Sequence, residues 1–548
     1  MRQFYALFLL LVISHTGWSQ SIAVATAHPI GTQVARQVLE AGGNAYDAAV
    51  AAHFALAVVL PRAGNIGGGG FALIHTFGGE ARALDFRETA PQAATRETFM
   101  VSGENIPPSS LRSIQASGVP GSVAGMWELY TAYRSGRFTW AELLQPAILL
   151  ADTGFAMTPF LADLLLHTPH IAEQEGSPFY RQVPWQAGDR LTQHVLAQTL
   201  TDIAAMGPEG FYQGLHAARL VDWSQGWFTP EDIGLYRAVW RAPLSMVYRG
   251  YNLYTMPPPS SGGVALIQLL KGSDRPANRF GKRWKGEAIH DFTELAHRVY
   301  QDRTHYLGDP DYMEVVPGAL MDDGYLANRF ADIEQDRHVP IAWNQSHTEL
   351  ESNETTHFSI LDSAGNAIAI TTTLNGLFGS GLWVDGYFMN NEMDDFATQP
   401  GVPNQFGLIG YEVNSVAPGK RMLSSMTPTI LVDGSGNKVV LGTPGGSTII
   451  TNVFQVVLHH VRYQKTLEEA VHIKKVHAQG LPEKLFYEVG ALTPRWQKKL
   501  KALGHPLEAW KQIGRFQAVS SFEAVADVTR SGDSQGYFYS DGVKSKRK

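Results

Sequence analysis

Apolar positions change their period several times along this chain, and each change predicts a different element. Arg2 is followed by ten apolar residues, Phe4 to Ile13, and then by small and polar residues through Gln20. Such a run is too short to span a bilayer but fits the apolar centre of an export signal, so residues 1–19 are predicted to be a signal peptide cut after Ser19. In Gly31 to Glu40, Val34, Val38 and Leu39 recur at helical spacing, and Gly42-Gly43 supplies a stop. Asp47 to Val59 is rich in Ala and Val and apolar nearly all round, which predicts a helix buried on every side and ended by Pro61. Gly67-Gly68-Gly69-Gly70 then leads into a strand, Phe71 to Ile74. No Lys-Ser/Thr pair follows the glycines, so close approach of backbone to backbone is expected there rather than a phosphate cradle.

From Ser122 to Ala342 the pattern is mostly helical, with turn-like punctuation at Met256 to Gly263 and an aperiodic polar stretch, Gly272 to Gly286, that reads as a surface loop. The last third alternates instead. His357–Leu361 and Ala367–Leu374 flank the turn residues 362–366, and Thr429–Val432 and Lys438–Leu441 flank 433–437, giving two predicted hairpins. Glu523–Val528 and Gly536–Tyr539 suggest a third pair. Hairpins flanked by helices predict a layered α/β (α+β) sandwich with mostly antiparallel sheets.

Composition narrows the function. With 548 residues, 44% of them hydrophobic, the chain has room for two domains or one large multi-layer fold. A net charge of -7 without a clustered basic face gives no reason to expect a nucleic-acid partner, and Lys544 to Lys548 reads as a frayed tail. No segment after the signal offers a spanning apolar run, so an exported protein without stable membrane insertion is expected, in the periplasm or secreted to the medium. The absence of cysteine excludes disulfides, thiolate metal sites and a cysteine nucleophile. His167 with His170, and His472 with His477, lack a third ligand at matching spacing, so neither metal nor cofactor is expected.

The chemistry gathers around Glu354-Thr355-Thr356-His357, which alone would be an ordinary strand edge. Around it stand Asp85-Phe86-Arg87-Glu88-Thr89-Ala90-Pro91 upstream, and Thr373-Leu374-Asn375, Asn390 to Phe396, Lys420 to Ser425 and Gly442 to Ser447 downstream. Together with Gly42 to Ala45, Gly118 to Ser122, Met256 to Gly263 and Asp302-Arg303, these stretches resemble the γ-glutamyltranspeptidase family over essentially everything after the signal. The resemblance implies the N-terminal-nucleophile hydrolase fold, a four-layer αββα sandwich. It also implies a precursor that cuts itself between Glu354 and Thr355, giving a large subunit of residues 20–354 and a small one of 355–548 that remain together as a heterodimer. The cut has a chemical purpose. A threonine hydroxyl needs an adjacent base, and a freed α-amino group, titrating near about 7.7–8.0, supplies one within the same residue.

The same resemblance implies the remaining roles. Thr373 would hydrogen-bond the Thr355 hydroxyl, and the N–H groups of Gly445 and Gly446 would form the oxyanion hole. Arg87 would hold the α-carboxylate of the γ-glutamyl group bidentately, with hydroxyls from Ser424 and Ser425. Asp395, with Asn375 and Glu392, would hold the α-ammonium. Bacterial members often carry glutamine where Glu392 stands and tyrosine where Phe406 stands in the lid-like loop Pro403 to Gly407. The implied activity is transfer of a γ-glutamyl group from glutathione or a related amide to water or to an amino-acid or peptide acceptor. Two alternatives remain open: a cephalosporin (glutaryl) acylase-like amidohydrolase, and an exported binding protein that has lost catalysis.

Overall fold

The computed structural model describes residues 21–100, 108–341, 355–528 and 534–540. The predicted signal peptide, Glu354 and the basic tail lie outside these residues. Strands β1 (Ser21–Thr26), β2 (Gly69–His75), β3 (Ala81–Phe86), β4 (Val239–Arg241), β7 (Thr355–Leu361), β8 (Ala367–Thr373) and β13 (Gln535–Ser540) form one sheet, in the order β13-β1-β7-β8-β2-β3-β4. A second sheet runs β12-β11-β10-β9-β6-β5, built from β5 (Leu244–Tyr248), β6 (Tyr251–Thr255), β9 (Thr429–Val432), β10 (Lys438–Gly442), β11 (Gln517–Ser520) and β12 (Ala524–Ala526). Every pairing in both sheets is antiparallel.

Strand alternation assigns the faces of the first sheet. Ile22, Val24, Ala72, Ile74, Ile368 and Ile370 join one core with helices α1 (Pro29–Glu40), α2 (Ala45–Val59), α3 (Ser122–Tyr133) and α4 (Trp140–Thr153). The intervening Ala23, Ala25, Phe71, Leu73, Ala367 and Ala369 face the other way and share the second core with residues of the second sheet, among them Leu431, Val440, Leu441 and Val519. Small alanines on that inner face let the two sheets lie close. The second core also takes in α5 (Gly262–Ser273), α6 (Gly286–Tyr306) and α7 (Ile449–Val457), which cover the second sheet. The layers are therefore helix, sheet, sheet, helix, as expected for the four-layer sandwich.

Helix α2 is buried along its whole length, as its pattern predicts, and its start is fixed by a reciprocal capping box between Asn44 and Asp47. The hairpins β7–β8 and β9–β10 form at the predicted positions. Three differences stand out. The nominally helical middle contains β4, β5 and β6, which extend both sheets. The stretch 272–286 is not simply a surface loop, because its Phe280 is fully buried in the second core. The third predicted hairpin does not form: β12 pairs with β11, whereas β13 pairs with β1 from the opposite end of the chain.

Candidate active site

Thr355 opens β7 and lies directly across from Thr373, the last residue of β8. The Thr355 hydroxyl donates to the Thr373 hydroxyl at 3.4 Å, a long contact for two oxygens. Thr373 Oγ1 also accepts the backbone N–H of Asn375 at 2.8 Å. What holds this strand end is the glycine run. A Cβ on Gly68 would lie 2.2 Å from the Thr373 carbonyl oxygen, and one on Gly70 would lie 2.3 Å from that of Thr371. Asn65 completes the support. Its Nδ2 donates to the Thr373 carbonyl at 3.0 Å and to Thr372 Oγ1 at 3.2 Å, while its Oδ1 accepts the Gly68 N–H at 3.0 Å. The close backbone approach expected of the glycine run is what the structure shows; Asn65 is assigned no role by the sequence.

Arg87 follows β3 and is completely buried. Its Nη1 lies 2.5 Å from Glu392 Oε2 and 3.6 Å from Glu88 Oε2, and its Nη2 lies 2.5 Å from Asp395 Oδ2. The family resemblance implies a cation and anions on opposite sides of a bound zwitterion; here they are in direct contact. A buried guanidinium without an anion is expensive, and these carboxylates compensate it. Burial pulls the Arg87 pKa down, but Glu392, Asp395 and Glu88 outweigh that and raise it. Burial raises all three carboxyls above their ordinary range, with Arg87 offsetting only part of the effect, and Glu88 reaches about 7.

The sequence profile of the gamma-glutamyltranspeptidase family matches residues 31–537. The chain belongs to that family. The glutathione hydrolase proenzyme of Pseudomonas aeruginosa is 42% identical over 511 residues, covering 91% of this chain and 90% of that one. The crystal structure of Helicobacter pylori gamma-glutamyltranspeptidase is 40% identical, with a TM-score of 0.54, and covers 57% of this chain and 92% of that chain. A cephalosporin acylase from Bacillus halodurans shares the fold, with a TM-score of 0.80 at 24% identity over 95% of this chain and 96% of that one.

In this family member a ring of polar contacts fixes the arginine from behind. Asp85 accepts from the Arg87 backbone N–H at 3.0 Å and pairs with Arg241 at 2.8 Å and Arg421 at 3.1 Å. Tyr236 and Arg421 both donate to the Arg87 carbonyl, at 2.7 and 2.6 Å. Asp395 Oδ1 accepts from Asn404 Nδ2 at 3.2 Å, which ties the anion to the loop 403–407. Phe406 of that loop is buried in the second core, and its carbonyl accepts from Gln479 at 3.0 Å.

The other predicted residues lie around these two groups. Asn375, at φ +75°, donates to the Asn391 carbonyl at 3.0 Å, next to Glu392 rather than on it. Ser424 Oγ accepts the Met426 N–H at 3.1 Å, and the buried Ser425 hydroxyl has no hydrogen-bond partner among the described residues. Arg303 donates to Ser261 Oγ at 3.1 Å, and Ser261 donates to the Ser424 carbonyl at 2.7 Å, so an arginine with no predicted role braces the serine pair. Gly445 and Gly446, at φ +140° and +50°, turn the chain from β10 toward α7 in a conformation that suits glycine. Among the described residues no helix is long and apolar enough to cross a membrane.

Proposed function

We propose that this chain is a proenzyme that cuts itself between Glu354 and Thr355, and that the products 20–354 and 355–548 act together as a γ-glutamyltransferase with glutathione hydrolase activity. The observation that carries this reading is Thr355 at the head of a central strand with its hydroxyl on Thr373, in a chain of this family. The solved Helicobacter pylori chain supports it as well: it is 92% covered yet spans only 57% of this chain, as a large subunit ending near 354 would.

In the precursor, Thr355 Oγ attacks the carbonyl carbon of Glu354. The peptide nitrogen leaves as the new amino group, and water hydrolyses the resulting ester. In turnover that amino group takes the hydroxyl proton as Oγ attacks the γ-carbonyl of the donor, and the developing oxyanion is received by the N–H groups of Gly445 and Gly446. The amine product departs with the proton. The γ-glutamyl ester on Thr355 then passes to water or to an amino-acid or peptide acceptor. The donor's α-carboxylate takes Arg87, helped by Ser424 and Ser425, while its α-ammonium takes Asp395, Glu392 and Asn375.

The charge count favours a zwitterion. Arg87 lies against Glu392 and Asp395 with Glu88 3.6 Å away, and burial holds all three carboxyls above their ordinary range, so the site is poorly disposed toward a further uncompensated anion. An entering α-amino acid exchanges the Arg87–Asp395 contact for a carboxylate on Arg87 and an ammonium on Asp395 and adds no net charge. A glutaryl group brings the carboxylate without the ammonium, adding a net negative charge and leaving Asp395 without a cation once Arg87 is taken, which argues against the acylase reading. Export to the periplasm belongs to the same proposal and rests on the pattern of residues 1–19.

The deciding experiment is denaturing electrophoresis joined to turnover of a γ-glutamyl anilide, with and without a dipeptide acceptor. The native chain should give two bands and release the anilide. Thr355→Ala should give one band and no turnover, because maturation and catalysis use the same hydroxyl. Normal processing of the alanine variant would remove Thr355 from the mechanism.

A further inference from the structure

Away from this site, α6 carries His290, Glu294 and His297 at helical spacings of four and three residues, which places them on one face. His505, which follows the helix Pro494–Ala502, and His338 pack against that face. All five side chains are buried. We propose that His290 Nδ1, His505 Nε2 and the Glu294 carboxylate bind one divalent transition-metal ion of the zinc class, fastening α6 to the C-terminal third of the chain.

The donor atoms of His290, Glu294 and His505 all lie within 4.8 Å of one another. The His290 ring is already oriented for ligation. Its Nε2 faces the Glu334 carbonyl at 2.8 Å, and since a carbonyl only accepts, the ring hydrogen sits there and the Nδ1 lone pair points toward His505 Nε2, 2.6 Å away. A backbone carbonyl behind a ligating imidazole is the usual support at such a centre. Zinc at about 2.0–2.1 Å from each nitrogen would space a tetrahedral pair by about 3.3 Å, so the rings need open by less than 1 Å or so.

Glu294 is supported in the same way. Its Oε1 meets His338 Nδ1 at 2.5 Å and its Oε2 accepts from Arg298 at 3.0 Å, while His338 Nε2 reaches Glu483 at 3.0 Å. A carboxylate offers about four lone-pair directions, so it can hold both neighbours and still ligate. His297, one turn along the same helix face, is buried with neither ring nitrogen hydrogen-bonded among the described residues, an arrangement that proteins normally avoid. Two imidazoles and a carboxylate favour zinc over calcium or magnesium, which prefer all-oxygen shells. The ligands are 215 residues apart at their widest, so no linear motif announces them. His167, His170 and His472, weighed in the sequence, instead bond to nearby backbone or lie exposed.

The test uses the full chain, whether cut or uncut, so its result is separate from the proposal on processing. The protein is stripped with a chelator, dialysed, and loaded with Co2+ and then Zn2+. One equivalent of Co2+ with the intense visible bands of a four-coordinate site is expected, displaced by one equivalent of Zn2+ that survives gel filtration. The double variant His290→Gln, His505→Gln should retain none, whereas His167→Gln, His170→Gln should retain the full equivalent. Absence of both the bands and the retained zinc in the native protein overturns the proposal without reference to any variant. So does equal retention by native protein and the His290/His505 variant, since the ion would then sit elsewhere.

Discussion

Glu88 shows how heavily one arginine is loaded in this site. It is fully buried, neither of its carboxylate oxygens has a hydrogen-bond partner among the described residues, and its nearest cation is Arg87 at 3.6 Å. Burial, only partly offset by Arg87, moves its pKa from 4.5 to about 7. The folded state therefore holds this proton more tightly than the unfolded chain does. That contribution is fully present below pH 4.5 and is lost as pH rises to about 7. The melting temperature of the native protein relative to Glu88→Gln should fall steadily across that window, since glutamine cannot titrate. A pH-independent difference between the two proteins would sink the assignment. Asp395 carries the specificity argument. A site built to pair an ammonium rejects an analogue lacking it by about four orders of magnitude. Native enzyme should show that gap in kcat/KM between γ-glutamyl and glutaryl anilides, and Asp395→Asn should narrow it from both sides. Equal handling of both anilides by the native enzyme would hand the site to the acylase reading.

The glycine run 67–70 permits backbone contacts too close for any residue with a Cβ. A Cβ at Gly70 would meet the Thr371 carbonyl oxygen at 2.3 Å and the Thr372 Cα at 2.8 Å, both backbone atoms that cannot swing aside. Gly70→Ala should thus lower stability by about 1–3 kcal/mol, read as a shift of the denaturant midpoint, and should slow the appearance of two bands by displacing β8 and Thr373. An unchanged midpoint with normal processing would contradict this. Elements whose cause is local were legible in the sequence: α2 from its unbroken Ala/Val run, and β7–β8 and β9–β10 from alternation around short polar turns. Elements whose cause is distant were not. Strands β4 and β6 do not alternate regularly, and although burial alternates along β5, its exposed side carries apolar Val247, so the sequence shows no clean alternation. The chain could not announce that β13 would choose β1, some 500 residues away, over its neighbour β12.

The site itself was legible mainly through resemblance, since no spacing rule joins Thr355, Arg87 and Asp395. What resemblance did not supply was their packing, with Arg87 already against Glu392 and Asp395 and braced by Asp85, Arg421 and Tyr236. That packing depends on how the whole molecule is threaded. Of the seven strands in the first sheet, β1, β2, β3 and β4 precede Thr355, whereas β7, β8 and β13 begin at it or follow it. The two groups interleave: β1 sits between β13 and β7, and β8 between β7 and β2. In the second sheet β6 pairs with β9 across the same divide. Each proposed product would thus keep strands whose backbone partners lie on the other, and separating them would expose unpaired strand edges and the apolar faces of both cores. The cut chain should accordingly elute as one species under native conditions and unfold in a transition shared by both products, although two bands appear once it is denatured. Tagging only the C-terminal product and washing at high salt checks this, because salt screens surface charge but leaves sheet pairing and apolar burial intact. Recovery of the tagged product alone, folded and without its partner, would show that the two products are independent units and that the interleaved sheets do not hold them.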